Sequence, residues 1–531
     1  MDDYYDLGTY SRTITTTSPD AQIWFDRGLN WLYGYNHQEA VKCFRKAVEH
    51  DPSCVMAYWG IAYGVGCNYN KPWEVFLPTM VADTMQQARM AINSAYENLD
   101  NVTPVEAAFI KTLEKRFKKV GEHEEETLKQ WNTDYSDAMR GVYRQFPEDL
   151  DVATLFAEAL INRTPWQLWN TETGEAAEGA DTLEAMEVLE RAIAQIEATN
   201  APPHPGLYHV YIHTVEMSPY PERALHVADQ LRELVPDAGH LKHMPSHIDI
   251  LCGDYYNAVK ANQRAIAVDM KFLERDGYMN EYSLYRAHNI HFKMYSAMFL
   301  GQYRTAMEAA AEMAKIAHHG LIKVKGELAW LTDILEAMAS MKSHVLIRFG
   351  KWEEILAEPL PEDANLYLNT TATMHYARAI AFATLGRHDE ADAEREAFKV
   401  AQANIPPETI FFQGNPCENI FKVAEAMMNG EVEYHRGNYE LAFEQLRKAV
   451  YLDDRLLYGE PWAWMMPTRH ALGALLLEQG HVAEAEAVYR ADLGLDGSIP
   501  RPMQHPDNVW ALHGYVACLE QLGKDAEAKM M

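Results

Sequence analysis

Apolar, small and polar positions alternate with a period near 3.6 through WFDRGLNWLYGYNHQEAVKCFRKAVEHDP, residues 24–52. Trp24, Gly28 and Trp31 fall on one face of a first predicted helix. Ala40, Phe44 and Ala47 fall on one face of a second, which Pro52 ends. Small residues at facing positions let two helices approach, and the large ones fill the space between them. The pattern returns downstream. Gly253 precedes a helix with Ala258 and Ala265 at its packing positions, and Gly301 is followed in the same way by Ala306. Gly386 with Ala391, Gly437 with Ala442 and Ala449, Gly480 with Ala485, and Gly523 with Ala528 mark further copies. Strand-like alternation is nearly absent, which predicts an all-α chain.

The spacing is that of tetratricopeptide helical hairpins, and it predicts a solenoid of roughly ten to twelve helix pairs. Residues 1–20 read as an N-terminal extension and residues 21–531 as one continuous superhelix, with insertions near 66–80, 163–180 and 271–283. Each repeat buries its core only against its neighbours, so no sharp boundary is expected.

Histidine changes the picture. Of 22 histidines, nine lie between His204 and His291. In LYHVYIHTVE, His209, His213 and Glu216 stand at i, i+4 and i+7, one stripe of a helix. In GHLKHMPSHIDILCG, His240, His243 and His247 stand at i, i+3 and i+7, and in YRAHNIHFKMY His288 and His291 stand at i and i+3. Ala224, Ala258 and Ala306 open the partner helices and give a common origin. His209, His243 and His291 then share the fifth place of the repeat, His213 and His247 the ninth, and His240 and His288 the second, with Glu216 at the twelfth. Those places line the concave face of such arrays, so the repeats at 204–300 are expected to hold one or two metal ions. Imidazole suits copper, iron and zinc, and HxxxH puts two nitrogens on one ion. His204 and His226 fall off this register and read as structural. Pro245 is expected to kink the helix between His243 and His247.

These stretches, with WFDRGLNWLYGYNHQEAVKCF and DPSCVMAYWGIAYG, resemble a family of bacterial and fungal tetratricopeptide proteins, some associated with small-molecule biosynthesis. The resemblance runs over most of the chain and implies one site containing His209, His213, Glu216, His243, His247, His288 and His291. It does not specify a reaction. Cys67 stands where the resemblance leads one to expect proline.

Other residues are candidates for the same site. Asn68 and Asn70, on an insertion able to fold over the groove, and Glu158, on the preceding repeat, are expected to contact substrate. Trp166 and Trp169 read as packing residues. His344, His470 and His513 also come out on inner-face places but singly read as structural.

Composition narrows the function. A net charge of −30 argues against nucleic acid and anionic membranes, which need basic patches. No apolar run approaches the ~18 residues that span a bilayer. The acidic, polar start is unlike a signal peptide, and six scattered cysteines suggest neither a disulfide framework nor a cysteine-rich zinc site, so the cytoplasm is expected. The leading expectation is a copper- or iron-dependent oxidoreductase acting on a small organic molecule. A zinc hydrolase or lyase at the same site, with Glu216 as general base, is the alternative. A scaffold binding peptides in its groove is the rival of another class, and a protein partner on the outer repeat surface is compatible with any of them. Histidines stand where a peptide clamp would carry Lys, Arg and Asn, which favours chemistry.

Overall fold

The computed structural model describes residues 4–317, 322 and 329–531. The fold is all-α, built of tetratricopeptide-type helical hairpins, and groups into two compact units. The first is Met1–Ile248 with Ala267–Asp269, and the second is Asp249–Ile266 with Met270–Met531. Among the described residues, no helix is long and apolar enough to cross a membrane.

The first unit shows how the small and large positions pair. Helix Pro19–Tyr33 starts on the Ser18 cap with proline in its first turn, and helix His37–His50 packs against it. The buried Phe44 ring lies between Gly28 and Gly60, so close that an added Cβ would sit 2.6 Å and 2.5 Å from it. Neither glycine can be larger without moving the ring. Further on, Val55–Gly64, Pro78–Tyr96, Pro104–Arg116, Glu125–Gln145, Leu150–Ile161 and Thr182–Thr199 continue the array to helix Pro205–Val215.

Ahead of the first helix, the chain lies along this unit. Tyr10 donates to Asp151 at 2.7 Å, Arg12 pairs with Asp149 and Asp151, and Thr15 donates to Glu106. Charge-assisted hydrogen bonds are shorter and stronger than neutral ones, so these partners fix the path of the segment.

The second unit repeats the device with a different ring. Tyr489, from helix Val482–Asp492, packs against Gly473 and Gly514 as Phe44 does against its glycines. Between helices His388–Ala403 and Cys417–His435 the chain makes a two-stranded hairpin, Ile410–Phe412 with Asn415–Pro416.

Candidate metal centre

Helix Pro205–Val215 begins on a side chain. His204 is its cap, Nδ1 accepting the Leu207 N–H at 3.1 Å while Nε2 reaches Asp151 at 3.2 Å. That is a structural role, in keeping with its position off the histidine register. The next hairpin's first helix is broken in two, Gly239–His243 and Pro245–Leu251. Pro245 lacks the N–H that would continue the ladder, and the His247 N–H bonds the Met244 carbonyl instead, a tighter i+3 link.

These segments bring five imidazoles and one carboxylate together in the first unit, each at most 1% exposed: His209, His213, Glu216, His240, His243 and His247. Nitrogens of His209, His213 and His240 lie within 4.8 Å of one another, as do ligand atoms of His213, Glu216 and His247. His213 belongs to both groups.

The hydrogen bonds fix the tautomers. His209 Nδ1 stands 2.6 Å from the carbonyl of Tyr33, the last residue of helix Pro19–Tyr33. His213 Nδ1 stands 2.7 Å from Glu216 Oε1, and His247 Nδ1 stands 2.5 Å from Glu216 Oε2. A carbonyl and an ionised carboxylate only accept, so all three Nδ1 atoms carry the proton. In that tautomer Nε2 is the lone-pair nitrogen of each ring. The His209 and His240 Nε2 atoms are 3.1 Å apart, and those of His243 and His247 are 2.7 Å apart. Two imidazoles on one tetrahedral ion at ~2.05 Å sit about 3.3 Å apart, so the first pair is near the required bite and the second is tighter. Burial, then the nearby charge of His213, holds the His209 pKa well below the ordinary imidazole value. A neutral ring is the ligand form.

Aromatic rings wall this cluster, and the histidine register gave no sign of them. Tyr35 packs 4.3 Å from His209 and lies nearly parallel to His213 at 6.1 Å. Its φ of 55° is a left-handed value that a non-glycine residue adopts at a cost, here where the chain turns between two helices. The only trace in the sequence is the GYN turn after the first helix. Tyr69 packs 4.8 Å from His213, and its hydroxyl accepts the Trp166 N–H at 3.2 Å, Trp166 being a second aromatic with positive φ. Trp169 Nε1 donates to the Thr214 carbonyl at 2.7 Å, latching the insertion onto the histidine helix.

Asn68 and Asn70 were expected at the substrate. Asn68 is buried and its Oδ1 accepts the N–H groups of Asn70 and Lys71, so it shapes the turn that presents Tyr69. Glu158 lines a cavity of about 10 Å³, room for about one water, with His37, Tyr63 and His209. Burial pushes its carboxyl up to about 8, against the Asn162 amide that donates to it at 3.3 Å. It therefore carries a proton at neutral pH.

His288 and His291 belong to the second unit. There His288 packs on Phe292 and Phe412, and His291 sets Nε2 2.9 Å from Met465 Sδ.

No family model matches the chain, and no curated protein matches it. Solved structures similar to it include an APC/C hetero-tetramer, Cut9–Hcn1, at 12% identity over 96% of this chain and 78% of that one, with a TM-score of 0.32. Yeast Tom70 is 11% identical over 95% of this chain and 90% of its own, with a TM-score of 0.29. The tetratricopeptide domain of P58(IPK) is 11% identical over 95% and 99%, with a TM-score of 0.21. These likenesses carry no functional argument.

Proposed function

We propose that the first unit binds one or two first-row transition-metal ions through His209, His213, His240, His243 and His247, and that the protein is a metal-dependent oxidoreductase acting on a small organic molecule. The observation that carries this reading is that the Nδ1 atoms of His209, His213 and His247 each face an oxygen acceptor within one buried cluster, the arrangement that orients imidazole ligands. Nothing about helix packing requires that alignment, whereas metal ligation does. Bound copper or iron would supply electron transfer with dioxygen.

The chain's own residues prepare the site. Glu216 orients His213 and His247 together, one ring on each oxygen. Both oxygens being engaged, it acts as a positioning carboxylate, which weighs against its use as the general base of a zinc hydrolase. Tyr35 and Tyr69 exclude water from the ring faces.

The peptide-scaffold reading rests on the helical-hairpin fold, whose concave surfaces commonly bind partners. In the first unit those places carry buried imidazoles.

Elemental analysis of protein purified without added metal tests the reading. One or two equivalents of copper or iron are expected, with dioxygen uptake in the presence of ascorbate that a chelator abolishes. Protein that stays metal-free after incubation with copper, iron and zinc overturns it in favour of the scaffold. Metal retained without dioxygen uptake would remove the oxidoreductase and leave metal binding.

A further inference from the structure

Inside the second unit, four helices stand around a cleft of about 320 Å³. Tyr303–Ile316 contributes Ala314, Lys342–Arg348 contributes Leu346, Trp352–Ala357 contributes Ile355, and Leu368–Thr384 contributes Met374 and Ala377. Pro359 also lines it and is exposed, so the cleft opens to solvent. Packed helices leave few spaces larger than a water molecule, and a cleft of this size falls at the lower end of the range that holds small organic ligands.

The polar groups on its walls limit what can enter. Lys342 forms an ion pair with Glu358, and both line the cleft. Arg378 donates Nε to Glu394 at 2.7 Å and Nη1 to the Leu356 carbonyl at 3.3 Å. Each lining cation is therefore already matched by a carboxylate, and a charged guest would bring in a charge without a partner, which burial penalises. Two lining hydroxyls are spent as well. Ser340 donates to the Ala337 carbonyl at 2.6 Å, and Thr370 donates to the Glu336 carbonyl at 3.2 Å. Two donors are not spent. Among the described residues the Ser343 hydroxyl makes no hydrogen bond, and neither does Nη2 of Arg378. Matched charges, an apolar wall and unspent donors together select an uncharged guest with an apolar body and a hydrogen-bond acceptor.

We propose that this cleft binds a small, uncharged, apolar molecule bearing a carbonyl group. The carbonyl oxygen accepts from Ser343 and Arg378, and the body lies against Leu346, Ile355 and Met374. The site is independent of the histidine cluster of the first unit, and either can fail without the other.

Titration of the full chain with prodan, an uncharged naphthalene ketone whose emission shifts to the blue in apolar surroundings, tests the site. One saturable equivalent is expected. The same dimethylaminonaphthalene without its propionyl group should bind about tenfold more weakly, as should one carrying a sulfonate in place of the ketone. Ser343→Ala should weaken prodan by about fivefold and leave the ketone-free compound unchanged. Met374→Trp, at a half-buried wall position, fills the cleft and should remove the equivalent, while His243→Ala, in the first unit, keeps it. Absence of a saturable equivalent, equal affinity for prodan and the ketone-free compound, or preference for the sulfonate overturns the proposal. So does an equivalent that survives in Met374→Trp. The comparison among the three probes needs no variant to fold.

Discussion

Glu216 has two oxygens and each holds the Nδ1–H of a different histidine, so one carboxylate sets the tautomer of two rings. In Glu216→Gln one oxygen becomes an NH₂ group, a donor facing a donor. The ring on that side must move its proton to Nε2 and cease to be a ligand. Metal affinity should fall by about 10- to 100-fold, the usual effect of losing such an outer partner, with helix content by circular dichroism unchanged. Equal affinity in a chelator competition would show that Glu216 does not orient the rings. Glu158 allows an opposite test. Its folded-state pKa, about 8, lies above the ordinary value of 4.5, so its favourable contribution is complete below pH 4.5 and is lost as pH rises through 8. Glu158→Gln removes the charge that burial opposes. Urea unfolding should find the variant more stable than wild type by about 1–3 kcal/mol at pH 8, with the gap closing by pH 5. A gap independent of pH would mean that the carboxyl is hydrated and ordinary.

At the scale of elements, the break at Pro245 matters most. His243 and His247 stand on its two sides, and the i+3 bond from His247 to Met244 tightens the turn that brings their Nε2 atoms to 2.7 Å. Pro245→Ala restores an N–H and lets one helix run through. The protein should be as stable as wild type in thermal melts, but should bind metal about tenfold more weakly as the two rings separate. Unchanged affinity would make the break a packing feature only. Much of this element was legible: the 34-residue interval from His209 to His243 and from His213 to His247 reflects the hairpin period, and the small residues that set that period are the ones now pressed against Phe44 and Tyr489. Tyr35 and Tyr69 were not legible. Periodicity assigns faces within helices, whereas these residues sit in turns, where backbone torsion decides the direction of the side chain. Asn68 spends its side-chain oxygen on the N–H groups of Asn70 and Lys71, a turn role that helical spacing does not report. Glu158 was singled out by its place on the preceding repeat, but its protonation depends on burial, which no spacing reports.

Acid acts on the whole molecule, because both units bury neutral histidines. Burial, then the charges of Arg116 and Lys71, holds His37 in the first unit down to about 3, and burial alone does the same for His291 in the second. The folded-state values lie below the unfolded imidazole value of 6.5. Between pH 6.5 and about 3 the unfolded chain therefore takes up protons that the folded one refuses. The stability these groups contribute is present above pH 6.5 and is lost as pH falls toward 3, by about 1.4 kcal/mol per pH unit for each histidine. The melting temperature of the metal-free protein should fall steadily from pH 7 to pH 5. His37→Gln, which keeps polarity without a titrating ring, should make that decline shallower by one proton's worth. Metal-loaded protein should melt higher at pH 7, since a ligand that binds only the folded state stabilises it, and should lose the advantage below roughly pH 5.5 as the imidazole ligands are protonated. Two curves that stay parallel down to pH 4 would place the metal on carboxylates, and a flat metal-free curve would mean that the buried rings are reached by water. Glu158 slopes the other way over pH 4.5 to 8, so Glu158→Gln should steepen the decline between pH 7 and 5, a check on the sign of both effects in one series of melts.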